Sequence, residues 1–158
     1  REYISRFVEP KPATKREREM LEKASMTPKE EGRRIKSVAK LLADLSHEAV
    51  VVGLAETDTF YTGLSSLFAQ PEFKTWQRVV SLSEVLDRLD EALHAMRDVS
   101  LKEPKILLGR ECPFGPACAS ILVSLPSGVI IGILGPLRMD YQQAMSLMRT
   151  VHQLLRTN

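Results

Sequence analysis

Residues 117–134, ACASILVSLPSGVIIGIL, contain two apolar runs separated by a short turn. A Pro-Ser-Gly sequence occupies the turn at 126–128, and isoleucine, leucine and valine dominate the flanking runs. This pattern is typical of a β-hairpin, because such a short connection can join only antiparallel strands. The sequence therefore predicts strands over 117–125 and 129–134, in a sheet that is at least partly antiparallel.

Further strands are predicted outside this hairpin. Residues 49–54 are a β-branched run with the character of a buried strand, and 59–62 follow as a second short strand. Residues 105–109 form another apolar run. Together with the hairpin, these runs predict a sheet of about five strands, antiparallel or mixed.

Helices are predicted from apolar spacing and from capping residues. Thr27, Pro28 and Glu30 form a strong helix start, with Thr27 as the N-cap. The predicted helices and caps are 14–24 with Thr14, 27–47 with Thr27, 64–69, 83–99 with Ser83 and 140–156 with Asp140. Helices packed on one sheet and preceded by a helical arm give an α+β fold.

The predicted helix at 27–47 carries one apolar stripe, formed by Ile35, Val38, Leu42 and Leu45. Such a stripe can pack on the sheet of its own chain. It can also pair with the same helix of a second subunit. The sequence leaves both uses open.

The composition of the 158 residues fits one globular domain. Apolar residues make up 44% of the chain and charged residues 27%, which excludes wholesale disorder. The apolar runs are shorter than the roughly 20 residues that cross a bilayer, and no signal-peptide pattern opens the chain. Two cysteines make no disulfide framework. A reducing, cytoplasmic location without a membrane partner is therefore expected.

The first 40 residues are basic, with 12 Lys and Arg against 7 Asp and Glu. A basic segment favours a polyanion through counterion release. Interleaved charges such as those at 15–19 are, however, usual on a solvated helix face, which is the simpler interpretation. Because Pro10 and Pro12 interrupt the start of the chain, 1–12 is interpreted as a linker from an upstream part.

Histidines offer no metal site in this sequence. His47, His94 and His152 fall in three different predicted helices, and none has a cysteine or second histidine at metal-ligand spacing. The sequence also contains no glycine-rich phosphate loop and no nucleophile elbow. It therefore predicts no metal-binding and no cofactor-binding residues.

Acidic residues cluster around the first predicted strands, at Glu48, Glu56 and Asp58. Carboxylates are common at strand ends, and nothing in the sequence pairs a nucleophile with a base. We therefore predict no catalytic residues and expect that the protein is not an enzyme.

Cys112 and Cys118 flank a loop rich in proline and glycine. They could form a reversible disulfide if their Cα atoms come within about 7 Å. They could also be an exposed loop thiol and a small core residue, an interpretation favoured by the lack of flanking basic residues. Whether they ever pair is left open.

The predicted turn before the closing helix combines Gly135-Pro136 with Arg138 and Asp140. Gly135-Pro136 is predicted to break the strand, and Asp140 to cap the helix. Arg138 either holds an anion near the helix start or pairs with a nearby acid.

Two stretches resemble segments of the heat-inducible transcription repressors of the HrcA family. Residues 133–141, ILGPLRMDY, are similar to the family signature IGPxRMDY, and residues 63–73, GLSSLFAQPEF, are similar to its GxSNLLxQPEF segment. The stretch at 15–45 leading into 49–54 also resembles the family. The matching residues to which we assign a structural or regulatory role are Gln70, Pro71, Glu72, Phe73, Gly135, Pro136, Arg138, Met139, Asp140 and Tyr141.

The resemblance implies a bacterial repressor of chaperone genes. In that family an N-terminal winged helix binds an inverted-repeat operator, a GAF-like domain with an inserted dimerisation segment follows, and the GroE chaperonin keeps the repressor active. This chain would be the part after the winged helix. It would consist of the linker at 1–12 and a GAF-like regulatory domain at 13–158, and it is expected to form a homodimer.

Two departures from the family pattern affect these expectations. No winged helix is found in the 158 residues, so no DNA-reading residue of the family can be assigned. Only residues 55–62 fill the place of the inserted segment, so a dimer would use another surface. The alternative is a free-standing GAF-like sensor that binds a small ligand between sheet and helices.

Overall fold

The computed structural model describes residues 13–26, 30–54, 58–98, 101–115 and 118–157. The predicted linker at 1–12, the predicted cap at Thr27-Pro28 and the acidic residue Glu56 lie outside these residues. In chain order the elements are α1 (Lys15–Met26), α2 (Glu31–Ser46), β1 (Ala49–Gly53), β2 (Thr59–Thr62), α3 (Leu64–Phe68), α4 (Trp76–Asp87), α5 (Leu89–Ala95), β3 (Lys105–Leu108), β4 (Cys118–Ser124), β5 (Ile130–Pro136) and α6 (Tyr141–Thr157). Single 3-10 turns occur at Pro71–Phe73, Met96–Asp98 and Gly109–Glu111.

One sheet of five strands organises the domain, in the order β2-β1-β5-β4-β3. Each pair of neighbouring strands is antiparallel. The predicted hairpin is confirmed, with Ser124 opposite Ile130 and Cys118 opposite Pro136. A five-stranded antiparallel sheet packed with helices confirms the predicted α+β fold, which is consistent with the GAF-like class.

Both faces of the sheet are covered, so the strands are apolar at consecutive positions instead of alternating positions. Val50 and Val52 of β1 face a core shared with α1, α2 and α6. Ala49 and Val51 face a second core that contains Leu67 of α3 and side chains of α5. The sheet is therefore the middle layer between two apolar cores.

The apolar stripe of α2 belongs to the first core. Ile35, Val38 and Leu42 are almost fully buried, and Leu45 packs against the same core. The preceding helix α1 buries Leu21 in this core. Of the two uses that the sequence left open, the structure supports packing within the chain's own domain.

The start of α1 is capped as predicted. The Glu17 backbone N–H donates to Thr14 Oγ1 at 3.1 Å, and the Thr14 N–H donates to Glu17 Oε1 at 2.9 Å. This reciprocal pair satisfies two backbone donors at the helix start. The start of α2 differs from the prediction: Glu30 is extended and acts as the N-cap position, so the helix begins at Glu31.

The prediction of one helix over 83–99 is wrong. α4 already begins at Trp76, so Ser83 lies inside a helix instead of capping one. The backbone leaves helical geometry at Arg88, with φ −116° and ψ 26°, and α5 begins at the next residue. After this break, Leu89 and Leu93 of α5 are buried in the second core, whereas Val85 and Leu86 of α4 are only partly buried against it.

The prediction that Gly135-Pro136 breaks the strand is also wrong, because β5 continues through Pro136. The pairing of β1 with β5 ends at Ala49 and Leu134. Beyond Leu134, β5 is therefore an edge on its β1 side, while it still pairs with β4 on the other side. Proline is tolerated at such an edge because no ladder partner needs its missing N–H.

Candidate functional site

A tight turn places Glu48 at the start of β1. α2 ends at Ser46, and His47 adopts a left-handed conformation with φ 59°. The His47 N–H donates to the Ala43 carbonyl at 2.9 Å, and the Glu48 N–H donates to Ser46 Oγ at 3.3 Å. These bonds fix Glu48 beside the open edge of β5.

The Glu48 side chain is buried, with only 6% of its surface exposed. Its Oε1 accepts a hydrogen bond from Gln70 Nε2 at 2.5 Å. Its Oε2 has no hydrogen-bond partner within the described part of the chain. This oxygen lies against Gly135, where an added Cβ would be only 1.8 Å away. Glu48 therefore contacts both motif segments that resemble the repressor family.

The surroundings of Glu48 oppose its ionisation. Burial raises the pKa of the Glu48 carboxyl to about 7, and the nearby Glu72 charge acts in the same direction. The hydrogen bond from Gln70 favours the charged form and only partly offsets these effects. The carboxyl is therefore poised between its neutral and ionised forms near neutral pH.

An ion pair also joins the two motif segments. Arg138 Nε donates to Glu72 Oε2 at 2.5 Å, and Arg138 Nη2 donates to Glu72 Oε1 at 3.0 Å. Hydrogen bonding to Arg138 lowers the pKa of Glu72, and the same contact raises the pKa of Arg138. Of the two roles that the sequence left open for Arg138, the structure shows pairing with an acid. Because Arg138 is exposed, this bidentate pair contributes orientation more than stability.

The turn between β5 and α6 is held by local hydrogen bonds. The Gln143 N–H donates to Asp140 Oδ1 at 3.1 Å, which confirms Asp140 as the N-cap of α6. The Tyr141 hydroxyl donates to the Leu137 carbonyl. Gln143 Nε2 donates to the Leu45 carbonyl at 3.4 Å, which ties α6 to the end of α2.

Replacing Asp140 by alanine should lower the free energy of unfolding by about 1 kcal/mol, because an N-cap acceptor is lost. Urea denaturation of the 158-residue chain measures this cost. Gln142→Ala, at an exposed position of the same helix, is the matched control and should change stability by less than about 0.5 kcal/mol. Equal stabilities for the two variants would contradict the capping role.

Replacing Gly135 by alanine should lower the free energy of unfolding by roughly 1–3 kcal/mol, because its Cβ would overlap the Glu48 carboxyl. Chemical denaturation measures the change. Gly32→Ala is the control: a Cβ there meets nothing closer than 4.0 Å, and alanine favours the helix α2. Combining Gly135→Ala with Glu48→Ala should reduce the cost of the glycine substitution. A cost that is unchanged in this background would exclude the proposed overlap.

The structure brings five of the ten motif residues to one open depression of about 640 Å³. Phe73 instead anchors its segment in the second core, and Gly135 packs on Glu48. Pro136 ends β5, and Tyr141 begins α6. The motif residues that line the depression, together with Glu48, are Gln70, Pro71, Arg138, Met139 and Asp140.

Glu48 is the residue whose importance sequence reasoning missed, since it was grouped with Glu56 and Asp58 as an ordinary strand-end acid. Asp58 is exposed. The available signal was Gly135, a glycine at a position that turns out to lie within a strand. Glycine in a strand often marks the close approach of another group.

The two cysteines are both buried, and neither forms a disulfide in the structure. The expectation of an exposed thiol at Cys112 is therefore wrong. Its Sγ lies 3.6 Å from Ser120 Oγ, and burial raises its pKa. A raised pKa lowers the thiolate fraction, which disfavours reactivity at this position.

The histidines lie apart, as their predicted helices indicated. His47 and His94 are exposed, while His152 is buried in α6, where burial lowers its pKa. Across the described ranges, no three His, Cys, Asp or Glu side chains form a group that could hold a metal ion.

None of the helices in the described part of the chain is long and apolar enough to cross a membrane.

The fold and the joined motif segments together define an α+β domain consistent with the GAF-like class. Comparison with known proteins then identifies the family: residues 2–145 match the model described as the HrcA protein C terminal domain. The chain therefore belongs to the HrcA family of transcriptional repressors, through its C-terminal domain. This family is not a family of enzymes.

Several similar proteins carry the name heat-inducible transcription repressor HrcA. The protein of Trichormus variabilis is 28% identical over 67% of this chain and 32% of its own length. That of Nostoc punctiforme is 26% identical over 89% of this chain and 41% of its own length. That of Halalkalibacterium halodurans is 28% identical over 56% of this chain and 27% of its own length. The chain thus spans less than half of these relatives, and no solved structure matches it significantly.

Proposed function

We propose that this chain is the regulatory and dimerising part of a bacterial heat-shock repressor that controls chaperone genes through an inverted-repeat operator. The observation that carries the proposal is the family match over residues 2–145. The ion pair between Glu72 and Arg138 supports it, because it joins the two segments on which the family resemblance rests.

In this proposal DNA is read by a winged helix outside the 158 residues. Two copies would present two such heads to the half-sites of an inverted repeat, which explains a homodimer. Since the α2 stripe is buried in the core, the dimer surface would lie elsewhere. The GroE chaperonin is the proposed partner that keeps the repressor active, and the proposed location is the cytoplasm.

The repressor proposal is favoured over a free-standing small-ligand sensor. Such a sensor would bind its ligand between sheet and helices. Apolar side chains pack against both faces of the described sheet, in two cores. The helices α1, α2 and α6 are part of this packing.

A domain exchange tests the proposal. In the Trichormus variabilis relative, the aligned C-terminal region is replaced by residues 13–158, and repression of an inverted-repeat reporter is measured before and after heating. Heat-relieved repression is expected. The relative without its C-terminal region is the control, and a chimera that behaves like this truncated control would overturn the proposal.

A gel shift with the 158-residue chain on the same operator tests where DNA is read. Weak, salt-sensitive and sequence-independent binding is expected, because specific readout needs side chains placed in a groove. Nanomolar, sequence-dependent binding at physiological salt would contradict the assignment of DNA readout to another domain.

A further inference from the structure

Glu48, the residue immediately before β1, touches both motif segments. Its Oε1 accepts from Gln70 in the first segment, and its Oε2 lies against Gly135 in the second. The Gln70 amide also donates to the His47 carbonyl at 3.4 Å, so this segment docks on the turn that carries Glu48. Alongside the burial of Phe73 and the pairing of Glu72 with Arg138, the docking therefore involves a buried carboxyl that has a hydrogen-bond partner at only one of its two oxygens.

A buried carboxylate is stable only when donors or a cation compensate its charge. From the first segment, Gln70 supplies one neutral donor, and Glu72 supplies a repulsive charge. From the second segment, the guanidinium of Arg138 is bound to Glu72, and the carboxylate of Asp140 caps α6.

The remaining nearby groups do not supply a compensating charge either. Burial raises the pKa of Tyr141 to about 12, and it also raises the pKa of Cys112, so both are neutral near pH 7. The His47 side chain is exposed to solvent. The neutral form of Glu48 thus fits this environment better than the ionised form.

We propose that Glu48 is a proton-dependent latch: its neutral carboxyl keeps residues 70–73 docked beside Gly135, and its ionisation loosens that docking. Because the folded chain holds this proton up to about pH 7 whereas a free glutamate loses it near 4.5, docking is strongest below pH 4.5 and weakens as the pH rises to 7. The open depression bordered by both segments would then widen at mildly alkaline pH.

Hydrogen exchange tests the latch directly. Amide protection of residues 64–73, corrected for intrinsic exchange, is measured from pH 5.5 to 8.5 in the wild-type chain and in Glu48→Gln. Protection should fall about tenfold or more in the wild type, and it should stay constant in Glu48→Gln. No fall in the wild type, or the same fall in Glu48→Gln, would overturn the proposal.

Glu72→Gln is the matched control, because it removes a neighbouring acid from the same segment. It should keep the fall in protection with a midpoint at lower pH, since the repulsion from Glu72 is gone. Loss of the fall in this variant would assign the proton to Glu72 and overturn the proposal. Carboxyl NMR of the wild-type chain adds a readout that needs no variant: a Glu48 midpoint near 7 supports the latch, and one near 4.5 refutes it.

Discussion

Replacing Val38 and Leu42 together by aspartate will unfold the chain. Both side chains are buried, at 1% and 0% exposure, in the core that α2 shares with α1 and α6. An unpaired buried charge costs several kcal/mol, so two of them will consume most of the roughly 5–15 kcal/mol that stabilises a domain. Far-UV circular dichroism and light scattering at 25 °C measure the outcome.

Lys40→Asp is the control for this double substitution. It introduces the same carboxylate in the same helix, but at an exposed position, so the chain should stay folded. If the doubly charged variant instead runs as a folded monomer while the wild type is a dimer, the stripe is a subunit interface and the core assignment is wrong.

Replacing Leu89 by alanine will lower the free energy of unfolding by about 2–5 kcal/mol. Leu89 is 2% exposed at the start of α5 and packs in the second core. Truncation removes its apolar contacts and leaves a cavity that the rigid sheet cannot fill. Urea denaturation measures the change. If the slope of the unfolding free energy against urea concentration is the same in both proteins, the shift in the midpoint gives the change in stability directly.

Val80→Ala, on the exposed side of α4, is the control and should cost much less. A small effect at both positions would show that α5 does not hold its side chains against the sheet.

Local signals explain which parts of the fold the sequence predicts well. The Pro-Ser-Gly turn at 126–128 and the cap of α1 at Thr14 involve neighbouring residues, and both are found as predicted. The break at Arg88 has no such signal, since no glycine or proline marks it. It follows from packing, because α5 turns its own leucines onto the sheet.

In the candidate site too, contacts between neighbouring residues can be predicted from the sequence, whereas contacts between distant residues cannot. Asp140 accepts a hydrogen bond from the Gln143 N–H, three residues along the chain, so its role as the N-cap of α6 could be predicted from spacing. Glu72 and Arg138 belong to separate motifs, and only the fold brings them into contact. The contact of Glu48 with Gly135 depends on where the pairing of β1 with β5 stops, and spacing cannot give this register.

The strand order β2-β1-β5-β4-β3 also governs how the chain acquires its structure during synthesis. Val51 of β1 lies opposite Gly132 of β5, so the first strand of the chain pairs with the last. Such non-local pairing slows folding, because a long loop must close before its contacts form. Until β5 has left the ribosome, β1 lacks its partner strand on that side, and a nascent chain in this state is prone to aggregate.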